Sequence, residues 1–140
     1  MHANGIMHRD IKPDNIHMAN ELVCKISDFG VSKMIWESGS DLVHQSVGTP
    51  AFMSPELFHI GAVESHGYSD DVWALGITLY ALLMGRLPFY RDDLFELYEA
   101  IQHDELCLKE CRASPACQDL LRSMLDKAEP NRISVPSMFM

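Results

Sequence analysis

The sequence predicts a mostly α-helical unit with one short β-hairpin set beside a charged loop. Three observations carry this. Apolar runs with helical start and stop signals lie at Asp71 to Met84, after Asp92 and after Ser114. Two short strand candidates, Ile16-His17-Met18 and Leu22 to Ile26, are separated by Ala19-Asn20-Glu21, a hairpin-length gap. The stretch before them, Met7 to Asn15, is polar and charged and shows no periodicity.

Taken in order, the first six residues read as a helix end stopped by Asn4-Gly5. The polar loop and the hairpin follow, and Asp28-Phe29-Gly30 closes that unit. Residues 31–53 carry Gly, Ser, Thr and Pro with little periodicity and read as a long loop, a type usually kept for function. Ser54-Pro55-Glu56 reads as a helix start, with the Ser hydroxyl as N-cap and Pro at the first helical position. Asp71 to Met84 is apolar on nearly all sides, which places it inside the fold; Gly85 and Pro88 stop it. Asp92 is the expected cap of the next helix, with Leu94, Phe95, Leu97, Tyr98 and Ile101 on one face. Ser114-Pro115 starts a third, with Leu120, Leu121, Met124 and Leu125 as its core stripe. No repeat, low-complexity tract or linker interrupts the 140 residues, enough for one domain with a core.

Bulk properties narrow the function. The formal charge is −9, from 11 basic and 20 acidic residues, which argues against a general nucleic-acid binder. The longest apolar stretch, Val72 to Met84, is shorter than the ~20 residues a membrane span needs. Met1-His2-Ala3-Asn4-Gly5 does not read as a signal peptide. Cys24, Cys107, Cys111 and Cys117 are therefore expected as reduced thiols. His103, Cys107, Cys111 and Cys117 are spaced more loosely than the usual zinc pairs.

The chemistry concentrates in His8-Arg9-Asp10-Ile11-Lys12-Pro13-Asp14-Asn15. Taken singly, Asp10 and Lys12 read as solvated surface charges and His8 as a satisfied core histidine. The spacing lifts them: a His-Arg-Asp triplet, a Lys two residues after the Asp and an Asn five residues after it. Asp28-Phe29-Gly30 and then Ser54-Pro55-Glu56 follow in order.

This series resembles the catalytic loop, the DFG motif and the APE motif of protein kinases. The resemblance covers nearly the whole chain and implies a protein-kinase-like fold, C-terminal lobe only, transferring the γ-phosphoryl group of ATP. Phosphoryl transfer asks for positioning and charge neutralisation. By the resemblance Asp10 orients the substrate hydroxyl and accepts its proton. Lys12 offers a point charge to the transferring group. Asn15 and Asp28 offer hard oxygen ligands for Mg²⁺. His8 packs and is not the base. Ser69-Asp70-Asp71-Val72-Trp73-Ala74-Leu75-Gly76 is similar to the start of the central helix of that lobe, with Asp71 anchoring the catalytic-loop backbone. Glu129-Pro130-Asn131-Arg132-Ile133 is similar to the segment whose Arg pairs with the APE glutamate, here Glu56.

Lys12 and Gly48-Thr49-Pro50 resemble the serine/threonine class, with Thr49 on the substrate-binding loop near Asp10. The run Val47 to Glu56 is similar to the calcium/calmodulin-dependent kinase kinases and related upstream activators of AMP-activated kinases. Arg9, next to Asp10, implies an activation-loop phosphate as regulator. Ser46 is the first candidate acceptor, with Ser40 and Ser38 behind it. Expected partners are a protein substrate and an upstream kinase or regulatory protein, with no nucleic acid and no membrane; the expected compartment is the cytoplasm, with the nucleus as second choice.

The sequence contains no G-x-G-x-x-G loop and no V-A-I-K-type lysine, which the family places upstream of the catalytic loop. The expectation is a partial kinase domain over 1–140, lacking the N-terminal lobe and with its last helix cut short, inactive by itself. The alternative is a non-catalytic binding module made of an isolated C-terminal lobe.

Overall fold

The computed structural model describes residues 1–34, 42–43, 47–58 and 65–135. Among the described residues, six short strands and three α-helices alternate with 3-10 turns. The strands are β1 (Ile6–Met7), β2 (Ile16–Asn20), β3 (Val23–Ile26), β4 (Lys33–Met34), β5 (Leu42–Val43) and β6 (Ser65–His66). The helices are α1 (Gly67–Met84), α2 (Leu94–His103) and α3 (Pro115–Met124).

Helix α1 is the centre of the molecule. Its Trp73, Ile77 and Tyr80 are fully buried and form one cluster with Phe89, Leu97, Ile101, Leu121 and Leu125. Trp73 stacks on Phe89 with ring centroids 6.0 Å apart. Tyr80 Oη donates to the Cys107 carbonyl at 2.9 Å, so the buried ring keeps a polar partner. Gly76 is where α3 comes closest: a Cβ there would lie 2.9 Å from Leu125 Cδ2. The helix ends as expected at Gly85, left-handed at φ 67°, whose N–H donates to the Ala81 carbonyl. Its last turn departs from the all-round buried helix of the sequence reading, because Leu82 (70% exposed) and Leu83 project past the neighbouring helices.

The caps explain the other two helices. Ser114 Oγ accepts from Cys117 N at 3.3 Å and α3 starts at Pro115, as expected. Helix α2 is capped by Asp93, not Asp92: Asp93 Oδ1 accepts from the N–H groups of Phe95 and Glu96 at 2.9 and 3.0 Å. Asp92 instead accepts from Tyr90 Oη. The buried stripe of α2 is Leu97, Ala100 and Ile101, while Leu94 and Phe95 in the first turn are exposed, which corrects the five-residue face.

The region read as a long loop is paired at two places. Strand β4 lies antiparallel to β1, and β5 to β6, each over two residues. Two-residue strands leave no periodicity to detect. The expected hairpin is present as β2–β3, pairing Ile16 with Ile26 and Met18 with Cys24, with an irregularity between Met18 and Asn20. Ser54 does not cap a helix through its hydroxyl. Pro55–Phe58 is a 3-10 turn closed by Leu57 N donating to the Ser54 carbonyl, and the hydroxyl is drawn 16 positions away to Asp70. Among the described residues no helix is long and apolar enough to cross a membrane.

Candidate active site

The charged loop 8–15 runs between β1 and β2, and α1 holds it. Asp71, buried in the first turns of α1, accepts from His8 N through Oδ2 at 2.8 Å and from Arg9 N through Oδ1 at 2.7 Å. Arg9 is left-handed at φ 68°, a conformation costing a non-glycine residue about 1–2 kcal/mol. Hydrogen bonds from two successive amides to a buried carboxylate offset that cost. A third bond reaches Asp71 Oδ2 from His2 Nε2 at 2.8 Å, with the His2 ring packed on Tyr68. The sequence reading missed His2, because a histidine in a three-residue turn carries no local signal for a partner 69 positions away.

His8 is fully buried and both its ring nitrogens are engaged. Asp10 N donates to Nδ1 at 3.3 Å, and Nε2 faces the Ser27 carbonyl at 2.9 Å. Its ring also meets Phe29 edge-on, with centroids 4.9 Å apart. His8 therefore ties the loop to the Asp28-Phe29-Gly30 segment and offers no free nitrogen for proton transfer.

Asp10 gathers the remaining side chains. Its Oδ1 accepts from Thr49 N at 3.1 Å and Thr49 Oγ1 at 3.0 Å. Its Oδ2 accepts from Lys12 Nζ at 2.8 Å and Asn15 Nδ2 at 3.2 Å. Lys12 Nζ also donates to Thr49 Oγ1 at 2.8 Å, so the threonine hydroxyl bridges the ammonium and the carboxylate. Burial works against the charge on Asp10, but the hydrogen bonds from Lys12 and Thr49 and the positive charge of Lys12 outweigh it. The carboxyl is held below the usual aspartate range. The approach of the Thr49 segment needs Gly48: at φ 112°, a Cβ there would lie 2.6 Å from the Arg9 carbonyl oxygen.

The backbone next to Asp28 is tied to Asn15, because Ser27 N donates to the Asn15 carbonyl at 2.9 Å. Asn15 commits its Nδ2 to the Asp10 carbonyl and carboxylate, which leaves its Oδ1 as an oxygen donor to a cation. Asp28, exposed and left-handed at φ 59°, receives the Gly30 N–H on Oδ1 at 3.3 Å. Asp28 is exposed and Asn15 is buried at 6% exposure; a carboxylate and an amide oxygen are hard donors of the kind Mg²⁺ takes, one or two from the protein plus phosphates and water. Among the described residues no group of three His, Cys, Asp or Glu side chains is arranged to hold a metal ion.

Away from this cluster, Glu56 and Arg132 form a two-pronged buried ion pair, with Nη1 to Oε1 at 2.5 Å and Nη2 to Oε2 at 3.0 Å. Arg132 also donates to the Asp126 carbonyl and Ser69 Oγ, and its guanidinium lies 5.0 Å from the Trp73 ring centroid. Arg9 Nε donates to the Val31 carbonyl at 2.6 Å. The candidate phosphate acceptors Ser46, Ser40 and Ser38 lie outside the described residues.

The protein kinase domain family matches residues 1–140. The chain is 38% identical over 138 residues to the calcium/calmodulin-dependent protein kinase kinase cmkC of Emericella nidulans, covering 99% of this chain and 26% of that protein. It is 39% identical over 132 residues to the serine/threonine-protein kinase GRIK1 of Arabidopsis thaliana, covering 94% and 32%. It is 35% identical over 136 residues to the serine/threonine-protein kinase STK11 of Rattus norvegicus, covering 96% and 31%. The chain thus spans between a quarter and a third of these relatives. With a family match over its full length and serine/threonine kinases as relatives, the chain belongs to the protein kinase domain family.

Proposed function

We propose that these residues form the catalytic-loop half of a protein serine/threonine kinase. The observation that carries this reading is the convergence of Lys12, Asn15 and Thr49 on the Asp10 carboxylate. The carboxylate stays ionised and fixed, as a group that orients a hydroxyl and takes its proton needs to be. In the proposed reaction the hydroxyl oxygen of a substrate Ser or Thr bonds to the γ-phosphorus of ATP while the bond to the β,γ-bridging oxygen breaks. The hydroxyl proton passes to Asp10. Lys12 Nζ, within 2.8 Å of Asp10 and Thr49, would supply positive charge to the transferring group. Mg²⁺, when bound, neutralises phosphate charge, and Asn15 Oδ1 and the Asp28 carboxylate would hold it.

The proposed partners are a protein substrate and an upstream kinase or regulatory protein. A reducing compartment, cytoplasm or nucleus, belongs to the same proposal; the free thiols of Cys24, Cys107, Cys111 and Cys117 support it.

The 140 residues by themselves are expected to be inactive, since they carry no glycine-rich loop or strand lysine to grip the nucleotide. γ-Phosphate transfer measured with the isolated chain tests this. Turnover that disappears in Asp10→Asn would overturn the inactivity. In a longer protein that includes the nucleotide-gripping segment, Asp10→Asn is expected to lower kcat by about 10²–10⁴-fold. Full activity there would remove Asp10 from the mechanism and favour a binding module.

A further inference from the structure

Helix α1 presents two consecutive buried carboxylates, and they serve different loops. Asp71 takes the amides of His8 and Arg9. Asp70, 7% exposed, takes the hydroxyl of Ser54 on Oδ1 at 2.6 Å, and Ser54 is fully buried. Neighbouring positions on a helix point about 100° apart. A pair of adjacent acids can therefore grip two segments and fix their separation. A small cleft lies between those segments, lined by Arg9, Asp10, Thr49, Phe52 and Met53, with Asp70 in its wall.

A buried carboxylate is unfavourable unless it is hydrogen-bonded, and a short bond from a hydroxyl to an ionised oxygen is among the stronger ones. Ser54 and Asp70 are thus retained inside the fold as a pair. Gln102 Nε2 donates to the Pro55 carbonyl at 2.8 Å, and three side chains of the segment 49–56 are also held. Thr49 is bound to Asp10 and Lys12, Ser54 to Asp70, and Glu56 to Arg132. The middle one of the three lies next to Phe52 and Met53, whose N–H groups donate to the carbonyls of Thr49 and Pro50 and of which Phe52 also packs against the core.

We propose that Asp70, through Ser54, is a positioning residue that sets the substrate-binding loop against the catalytic loop. The role rests on the reading of the Thr49 segment as the loop that receives the protein substrate. The bond to Ser54 ties Asp70 to the Thr49–Glu56 segment, so its effect is expected on the protein substrate.

The test uses Asp70→Leu, which removes the acceptor, and Asp70→Asn, which keeps an oxygen for Ser54. Ser54→Ala serves as a second route to the same loss if Asp70→Leu fails to fold. In the longer kinase, Asp70→Leu or Ser54→Ala is expected to raise the KM for a peptide substrate roughly tenfold while the KM for ATP stays unchanged. Asp70→Asn is expected to restore most of the peptide KM. In the 140-residue chain, amide hydrogen exchange at Phe52 and Met53 is expected to quicken in Asp70→Leu and recover in Asp70→Asn, with Leu97 and Ile101 unaffected. The proposal is overturned if ATP and peptide KM rise together, if Asp70→Asn is as damaging as Asp70→Leu, or if exchange at Phe52 and Met53 does not change. A longer kinase inactive with Asp70 intact would remove the kinase reading instead, and the exchange experiment would still decide the clasp.

Discussion

Two regions of the chain stand in opposite relation to water. Around α1, Trp73, Ile77, Tyr80, Ile101 and Leu121 are fully enclosed. Along the β2–β3 hairpin, Met18 is 64% exposed and Leu22 94%, and every β3 residue is exposed. The oxygen donors proposed for the metal, Asn15 and Asp28, flank the exposed hairpin. The buried carboxylates that brace the site, Asp70 and Asp71, belong to the enclosed helix. Stability and chemistry are therefore divided in space. The helical core supplies fixed anchor points, and on the hairpin side the exposed Asp28 remains accessible to a ligand, while Asn15 is held buried.

The strongest way to break this division is to disturb an anchor inside the core. Glu56→Ala leaves the Arg132 guanidinium buried with both bonds to its carboxylate partner gone. The expected cost is about 3–5 kcal/mol of unfolding free energy, read by urea denaturation. A loss below about 1 kcal/mol, as for exposed pairs, would show that water reaches Arg132. Gly76→Ala is the next largest. Its new methyl would meet Leu125 Cδ2 at 2.9 Å and Met124 Cβ at 3.0 Å, where α1 and α3 touch. Overpacking of this kind costs about 1–3 kcal/mol. Unchanged stability would mean that α3 can slide without loss.

Much of the helical region was legible in the sequence because its signals are local. Ser114-Pro115 and Gly85 mark real ends. The hairpin was legible from its length and spacing. The candidate cluster was legible because His8, Asp10, Lys12 and Asn15 sit within one short loop. What escaped depends on distant partners. Two adjacent aspartates before α2 are equivalent as sequence; only the fold decides that Asp93 caps while Asp92 meets Tyr90. Ser54 satisfies every local rule for an N-cap, yet a buried carboxylate on α1 takes its hydroxyl. His2 belongs to the same class, since its partner is 69 residues away.

The hairpin sharpens the comparison from the other side. Leu22→Ser at its tip changes a side chain that is almost wholly in water. Its effect on unfolding free energy is expected to stay within about 0.5 kcal/mol, as for surface substitutions generally. A larger loss would place the hairpin in the same cooperative unit as α1.

Titration of Asp10 should disturb the fold least while reporting directly on the open side. Its carboxyl lies lower in the folded chain than the ordinary aspartate value of about 3.9, because the hydrogen bonds and charge from Lys12 and Thr49 outweigh the opposing effect of burial. The sign follows from linkage. A group whose folded value is depressed contributes stability that is fully present above its unfolded value and is lost as pH falls through its folded value. Between neutral pH and the ordinary aspartate range, the Lys12–Asp10–Thr49 contacts should therefore persist. Below that range the Asp10 carboxyl and the Thr49 amide, which donates to it, should shift together in a single step by NMR. The amides of Ile77 and Ile101 should not follow that step, since their side chains are enclosed in the core rather than at the site. A Thr49 transition centred at or above the ordinary aspartate value would mean that Lys12 and Thr49 do not hold Asp10 ionised. It would withdraw the electrostatic basis for the claim that Lys12 and Thr49 fix the Asp10 carboxylate in place.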